Sequence, residues 1–420
     1  MTATGISRGE LAHRANGAKG QLMNPVRANM PARRPSRRTW LTIGSSFGAA
    51  LIATAALAGC GGKDERHVSD KLATKLQQIL DGAVTSPKTV FPGTALYISQ
   101  PKLGSWSGAA GEANIDPATP MRANDTFRAG SIIKPFISAV VLQLVEENKL
   151  ALGEPLPAVL PPGVVGRFAN AGQITVRMLL NHTSGIPEYA DEKFDREAIA
   201  HPQRIWKVGE FLDRAAAQPP AFTPGTRYHY SNTDYNLLGL IIERATGKPW
   251  RTVVRERTID RLGLNHTSLP EPGHVPIGSD AAHGYELVNG KLRDVTDVDP
   301  SMVGAAGGNA LITTTHDLAH FIDALLTGKL FQRPQTLKQM LTFVKATDVG
   351  GVVGYGLGIQ RYQFPGGVEA LGHLGTGAGY RAFVGYLPAK KITIATVITN
   401  PDDPTAVLLP PLKLMLAKTP

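Results

Sequence analysis

The 420-residue sequence predicts a mixed α/β (α+β) fold: one antiparallel sheet built from N- and C-terminal segments, flanked by helices, with a mainly helical region inserted between them. Three observations carry this. Residues 94–99 and 105–110 read as an early strand pair, with Gly and Pro between them. Residues 368–372, 382–386 and 392–398 read as successive late strands, separated by turns such as Leu387-Pro388-Ala389-Lys390. The intervening stretch, about 151–329, is helix-rich with long loops. At 42% hydrophobic and 19% charged residues, the chain has material for a sizeable core.

Taken in order, Ser69 stands where a helix cap belongs, ahead of Leu72, Leu76, Ile79 and Leu80 on one helical face. Ser131 to about Leu150 reads as a buried helix. Pro135 places its start: proline lacks an N–H and is tolerated only in a first turn, so Ser131 lies at or beside the helix N-terminus, at the positive end of the dipole. A second helix runs from Asp234 through Leu237, Leu238, Ile241 and Ile242, and stops at Gly247-Lys248-Pro249. A last helix is expected over 406–418. The domain is thus expected to span 69–418, with the helical insertion at 151–329.

The net charge of +10 does not mark a nucleic-acid binder. Residues 1–60 hold eight Lys/Arg and one acid, Glu10, so they carry +7 and leave +3 on the rest. After Arg37-Arg38 comes an uncharged, mostly apolar run, residues 40–60, of signal-peptide type. It approaches membrane-spanning length. Its ending, Leu57-Ala58-Gly59-Cys60, resembles the bacterial lipobox, in which cleavage precedes a cysteine that becomes lipid-modified. Cys60 is the one cysteine in the chain, so no disulfide or thiolate metal site is left to form within it. Ser36-Arg37-Arg38-Thr39-Trp40-Leu41 is similar to a twin-arginine export signal. The expectation is a signal peptide over 1–59, a lipidated tether over 60–68, and a protein on the extracytoplasmic side of a membrane.

Three short motifs carry chemistry. In FRAGSIIKPF, Ser131 and Lys134 share a helical face, so an ammonium can reach the hydroxyl. Burial lowers a lysine's pKa and suits it to proton transfer from serine. Ser-x-x-Lys also occurs at Ser99–Lys102, where Pro101 and a strand-then-turn context make a shared helical face a poor fit. Tyr230-Ser231-Asn232 is the one Tyr-x-Asn; it can cap the helix that follows, and a tyrosine beside a cationic lysine ionises more readily and can serve as a base. His373-Leu374-Gly375-Thr376 lies on an expected strand whose glycines permit close approach of a ligand to backbone. His316 and His320 stand four apart without a third ligand and form no zinc site.

With ITVRMLLNHTSGIPEY (174–189), FTPGTRYHYSNTDYNLLGLIIERATGKPW (222–250), GGNALITTTHDLAHF (307–321) and LGHLGTGAGYRAFVGYLP (371–388), these motifs occur in the order of a known family. From about residue 91 to 400 the chain resembles the serine hydrolases that include class C β-lactamases, the Streptomyces D-Ala-D-Ala carboxypeptidase and related esterases. The resemblance implies a β-lactamase/transpeptidase-like fold. It makes Ser131 the acylated nucleophile, with general-base work shared by Lys134 and Tyr230. Asn232 would bind the substrate amide and Lys134, and His373 would stand where many relatives have lysine. The Ser131 and Thr376 amides would form the oxyanion hole beside Gly375. No cofactor and no catalytic metal are implied. The expected substrate is a small amide or ester, such as a peptidoglycan stem peptide, met by a monomer. D-Ala-D-Ala carboxypeptidase-like activity comes first, then an esterase or D-amino-acid peptidase, then a β-lactamase, then an idle envelope-binding protein. Leu374 replaces a threonine whose hydroxyl helps hold a substrate carboxylate. Arg361 or Arg381 could supply that charge, although a solvated strand residue is the simpler reading of each. His182 reads as a structural loop residue.

Overall fold

The computed structural model describes residues 66–419 apart from 276, 277, 279, 307–309, 348, 349 and 401. The expected export signal and Cys60 lie outside the described residues.

Twelve strands are present among these residues: β1 Gly93–Gln100, β2 Gly104–Ile115, β3 Ala118–Pro120, β4 Phe127–Arg128, β5 Tyr285–Val288, β6 Lys291–Asp294, β7 Ile312–Thr313, β8 Val352–Tyr355, β9 Gln360–Phe364, β10 Val368–Gly377, β11 Tyr380–Leu387 and β12 Ile392–Ile398. Eight form one antiparallel sheet in the order β3-β2-β1-β12-β11-β10-β9-β8. β1 pairs with β12 from Thr94↔Ile398 to Ser99↔Thr393, so the N- and C-terminal segments meet at its centre. The near-continuous burial of β12 fits a strand covered on both faces.

Helices cover both faces. Helix α1, Asp70–Val84, buries Leu72, Leu76, Leu80 and Ala83 at the helical spacing and packs with the Thr405–Leu416 helix on one face. Helix α2, Ile133–Glu146, lies in the core beyond the other face and is buried nearly all round. That matches its sequence, which offers apolar residues on every side. The inserted region carries the Glu192–Ala200, Val208–Ala216 and Asn232–Thr246 helices, the last stopped by Gly247 in the left-handed conformation. Helix α2 ends at Glu146, four residues before the sequence expectation. A 3-10 turn, Gly130–Ile132, precedes it and carries Ser131.

Past Gly372, β10 keeps its partner β11 but loses β9. The exposed edge is met instead by the Gly130–Ile132 turn. A Cβ on Gly375 would stand 1.9 Å from the Ala129 carbonyl oxygen, and one on Gly130 would lie 2.5 to 2.6 Å from the Thr376 backbone. Two bare Cα atoms therefore let strand and turn touch, and Gly130 also takes φ +57°, which suits glycine.

Candidate active site

Lys134 is fully buried in the first turn of α2. Its Nζ donates to Ser131 Oγ at 3.2 Å and to Asn232 Oδ1 at 2.7 Å. The first motif thus closes as its spacing predicted, and the second delivers Asn232 from the start of the Asn232–Thr246 helix. Tyr230 precedes that helix, hydrogen bonds Ser131, and presents its ring 4.8 Å from Lys134 Nζ. Burial brings the Lys134 ammonium down to about 7, against the raising influence of Glu188 and then Asp234. A lysine so placed is part neutral at neutral pH and can accept a proton.

Tyr230 departs from the sequence expectation. Burial pushes its hydroxyl well above the usual phenol range; the Ser131 hydrogen bond works in the other direction and loses. The phenol keeps its proton, and the readily ionised group is the lysine.

Strand β10 supplies the third motif. Leu374 N–H donates to Gln360 Oε1 at 2.8 Å, on the edge away from β11. Backbone direction repeats every second residue, so Thr376 N–H points the same way, at the nucleophile turn. His373 alternates to the other side. It is fully buried, its Nε2 is 3.0 Å from Tyr355 Oη and its Nδ1 2.6 Å from the Leu374 carbonyl oxygen, and burial brings its imidazolium down to about 3. It packs near the Tyr230 ring, outside the cavity wall. Gly375 likewise faces the turn rather than the cavity.

Ser131, Tyr230, Asn232, Leu374 and Thr376 open into one cavity of about 520 Å³. Its lining also holds three charged residues that sequence reasoning passed over or set aside. Asp195 comes from the Glu192–Ala200 helix. Glu286 comes from β5 and accepts Gly379 N–H from the β10–β11 turn at 3.1 Å. Burial raises both carboxyls, and the Asp195 charge raises Glu286 further. Arg381 stands opposite Thr376 in the β10–β11 register and lines the same cavity, whereas Arg361 is taken up by Glu369 at 2.6 Å. No sequence signal marks Asp195 or Glu286, which folding alone brings together.

Behind the site lies the 182–189 loop. His182 Nδ1 is 3.1 Å from Asp234 Oδ2, and Ser184 Oγ donates to Asp234 Oδ1 at 2.6 Å. Ser231 and Thr233 hydroxyls both donate to the Pro187 carbonyl oxygen. His182 is therefore a clamp on the Asn232–Thr246 helix, in keeping with its structural reading. Among the described residues no cluster of His, Cys, Asp and Glu suits a metal ion.

The family model described as Beta-lactamase matches residues 70–416. A Beta-lactamase from Pseudomonas fluorescens is 26% identical over 82% of this chain and 95% of its own length. Esterase EstB of Burkholderia gladioli is 32% identical over 56% of this chain and 61% of its own. Among solved structures, a D-stereospecific amidohydrolase from a Streptomyces species superposes with a TM-score of 0.71 at 32% identity, covering 80% of this chain and 97% of that one. The match runs from α1 to the last helix and takes in all three motifs; the chain is a serine hydrolase and belongs to the Beta-lactamase family.

Proposed function

We propose that the chain hydrolyses amide bonds of small D-configured substrates that carry a free ammonium: D-amino-acid amides and short D-amino-acid peptides. The observation that carries this reading is the pair Asp195 and Glu286 in the same cavity as Ser131. Two carboxylates in that cavity favour a substrate that carries a cation. The likeness to a D-stereospecific amidohydrolase supports the same choice.

In this mechanism neutral Lys134 takes the Ser131 proton across 3.2 Å as Oγ attacks the carbonyl carbon. The oxyanion is held by the Ser131 and Thr376 amides. As the C–N bond breaks, Tyr230 gives its proton to the leaving nitrogen and regains one from Lys134. Water then cleaves the acyl-enzyme: Lys134 accepts its proton as the new C–O bond forms and returns it to Ser131 Oγ as the ester bond breaks. Asn232 orients Lys134 and the substrate amide.

Carboxypeptidase-like cleavage is the second reading, favoured by Arg381 beside Thr376, where a terminal carboxylate could dock. We also propose that the mature chain is tethered outside the cytoplasm through lipidated Cys60.

The test pairs D-amino-acid amides with their N-acetyl and L counterparts, with Ser131→Ala as control. The expected result is at least about tenfold higher kcat/KM for the free-ammonium D-amide, since a charge-assisted hydrogen bond contributes about 1.5–3 kcal/mol. Ser131→Ala should lose at least about 10³-fold. Equal use of the acetylated amide would remove the ammonium reading. Preferential release of a C-terminal D-residue, lost in Arg381→Gln, would install the second.

A further inference from the structure

The machinery above uses Ser131, Lys134, Tyr230 and Asn232, yet a carboxylate stands directly behind it without a role. Glu188 ends the GIPE segment of the 182–189 loop. Its Oε2 accepts the Asn232 N–H at 2.6 Å, and its Oε1 accepts the Ala190 N–H at 2.7 Å. Asn232 is also the residue whose Oδ1 holds Lys134 Nζ at 2.7 Å. One carboxylate therefore fixes the backbone of the side chain that fixes the lysine. We propose that Glu188 is a positioning residue for acylation: it anchors Asn232, and it supplies the counter-charge for the ammonium that Lys134 becomes on taking the Ser131 proton. The inference rests on the Ser131–Lys134 mechanism, not on the identity of the substrate.

The other groups around Lys134 are poorly suited to that task. From the same loop, buried His182 is held well below the usual imidazole range by burial. From the Asn232–Thr246 helix, Asp234 is raised well above the carboxylate range by burial, and Tyr235 is raised as well. Tyr230 stays a phenol, as does Tyr355 of β8, and His373 of β10 is neutral above about 3. Glu188 is raised by burial too, but three backbone N–H groups, from Ala190, Asn232 and Tyr189, and the Lys134 charge oppose that rise. Its charge has the largest raising effect on Lys134. A carboxylate stabilised by backbone donors and set beside a buried lysine can stay ionised while the lysine gains and loses its proton.

The proton count is unchanged by Glu188. The Ser131 O–H bond breaks, a Lys134 N–H bond forms, and the cage passes from one net negative charge to a neutral pair. Without the carboxylate the same step creates a buried ammonium that has lost its larger counter-charge and keeps the Asn232 Oδ1 contact and the smaller influence of Asp234.

The test measures the rate of Ser131 labelling by a fluorophosphonate against pH, followed by intact mass, in the wild type, Glu188→Gln and Glu188→Asp. This readout needs no knowledge of the natural substrate. The wild-type rate is expected to rise with pH through a midpoint near 7. In Glu188→Gln the midpoint should fall by about one pH unit, because the charge that raised Lys134 is gone. An unmoved midpoint in a folded Gln variant overturns the proposal. Should that variant not fold, Glu188→Asp decides: it keeps the charge but withdraws it by one methylene from Asn232. Its midpoint is expected to stay near 7 while its plateau rate falls about tenfold; an unchanged plateau overturns the proposal. A wild type that takes no label at Ser131 refutes the underlying mechanism as well, and so separates the two failures.

Discussion

At the scale of single residues the chemistry follows from where charge is allowed to exist. Lys134 has no exposed surface, and an ammonium there lacks water. Below pH about 7 it holds its proton and cannot take one from Ser131; above that it can, so kcat should rise with pH. The cavity carboxyls titrate in a different quantity. Asp195 and Glu286 are raised by burial, so they lose charge earlier than ordinary carboxylates as pH falls. KM for an ammonium-bearing substrate should accordingly climb as pH drops through their range, and climb again above about pH 8, where the substrate's own α-ammonium loses its proton. Asp195→Asn is expected to raise that KM about tenfold at pH 7, where the substrate ammonium keeps its charge, with kcat within twofold and KM for an acetylated substrate unmoved; steady-state kinetics on the two substrates check this. A loss confined to kcat would place Asp195 in another role. Ser131 and Lys134 were legible in the sequence because three residues on a helix is a fixed geometry. Asp195 and Glu286 were not, because nothing local says that the Glu192–Ala200 helix faces β5 across a substrate. Arg381 was visible but undervalued: strand alternation gives a side chain its face, not what that face looks into.

At the scale of elements the site is a seam between a strand and a turn. β10 sheds β9 after Gly372 so that the nucleophile turn can dock on its edge, and this docking is what aims the Thr376 amide. Gly375→Ala puts a methyl 1.9 Å from the Ala129 carbonyl oxygen, so the seam must open. The expected outcome is a fall in Ser131 labelling of about 10²–10³-fold, the size of losing one oxyanion donor, in a protein whose far-UV circular dichroism is unchanged. Retained labelling would mean that the strand can slide without cost to the hole. The sequence placed β1, β2, β10, β11 and β12 and both central helices, because alternation and apolar periodicity persist there over many residues; the shorter β3, β8 and β9 at the sheet's two edges went unread. Boundaries were less legible. Helix α2 stops at Glu146 although apolar residues recur to Leu150, and Ser69, in the cap position of α1, makes no side-chain cap bond there. Thr314, which had drawn no notice, does cap the Thr315–Leu326 helix, accepting the Asp317 N–H at 3.2 Å.

At the scale of the whole molecule, one sheet separates two apolar clusters, and the catalytic turn rises from the larger of them. The pairing of early and late segments was readable from strand patterns at both ends; the eight-strand order was not, since register between distant strands leaves no local trace. Tethering belongs to this scale too. Among the described residues no helix is long and apolar enough to cross a membrane. The full chain expressed in a bacterium should sediment with membranes, and Cys60→Ser should move most of it to the soluble fraction. Persistence of the serine variant in carbonate-washed membranes would assign the hold to residues 40–59 instead.

The β1–β12 pairing has a consequence for how the enzyme comes into being. Thr94 meets Ala110 of β2 early, but on its other edge it finds a partner only when Ile398 exists, so the middle of the sheet is a gap for almost the whole of synthesis. Until then β1 and β11 each present an unmatched backbone edge, and Ser131 has no finished strand wall behind it. A chain cut short by a few dozen residues would be a sticky fragment without a nucleophile site, and folding must wait on the slowest kind of contact, the one that closes the longest loop. Chemistry and completion of the polypeptide are thereby joined: this fold admits no half-made enzyme.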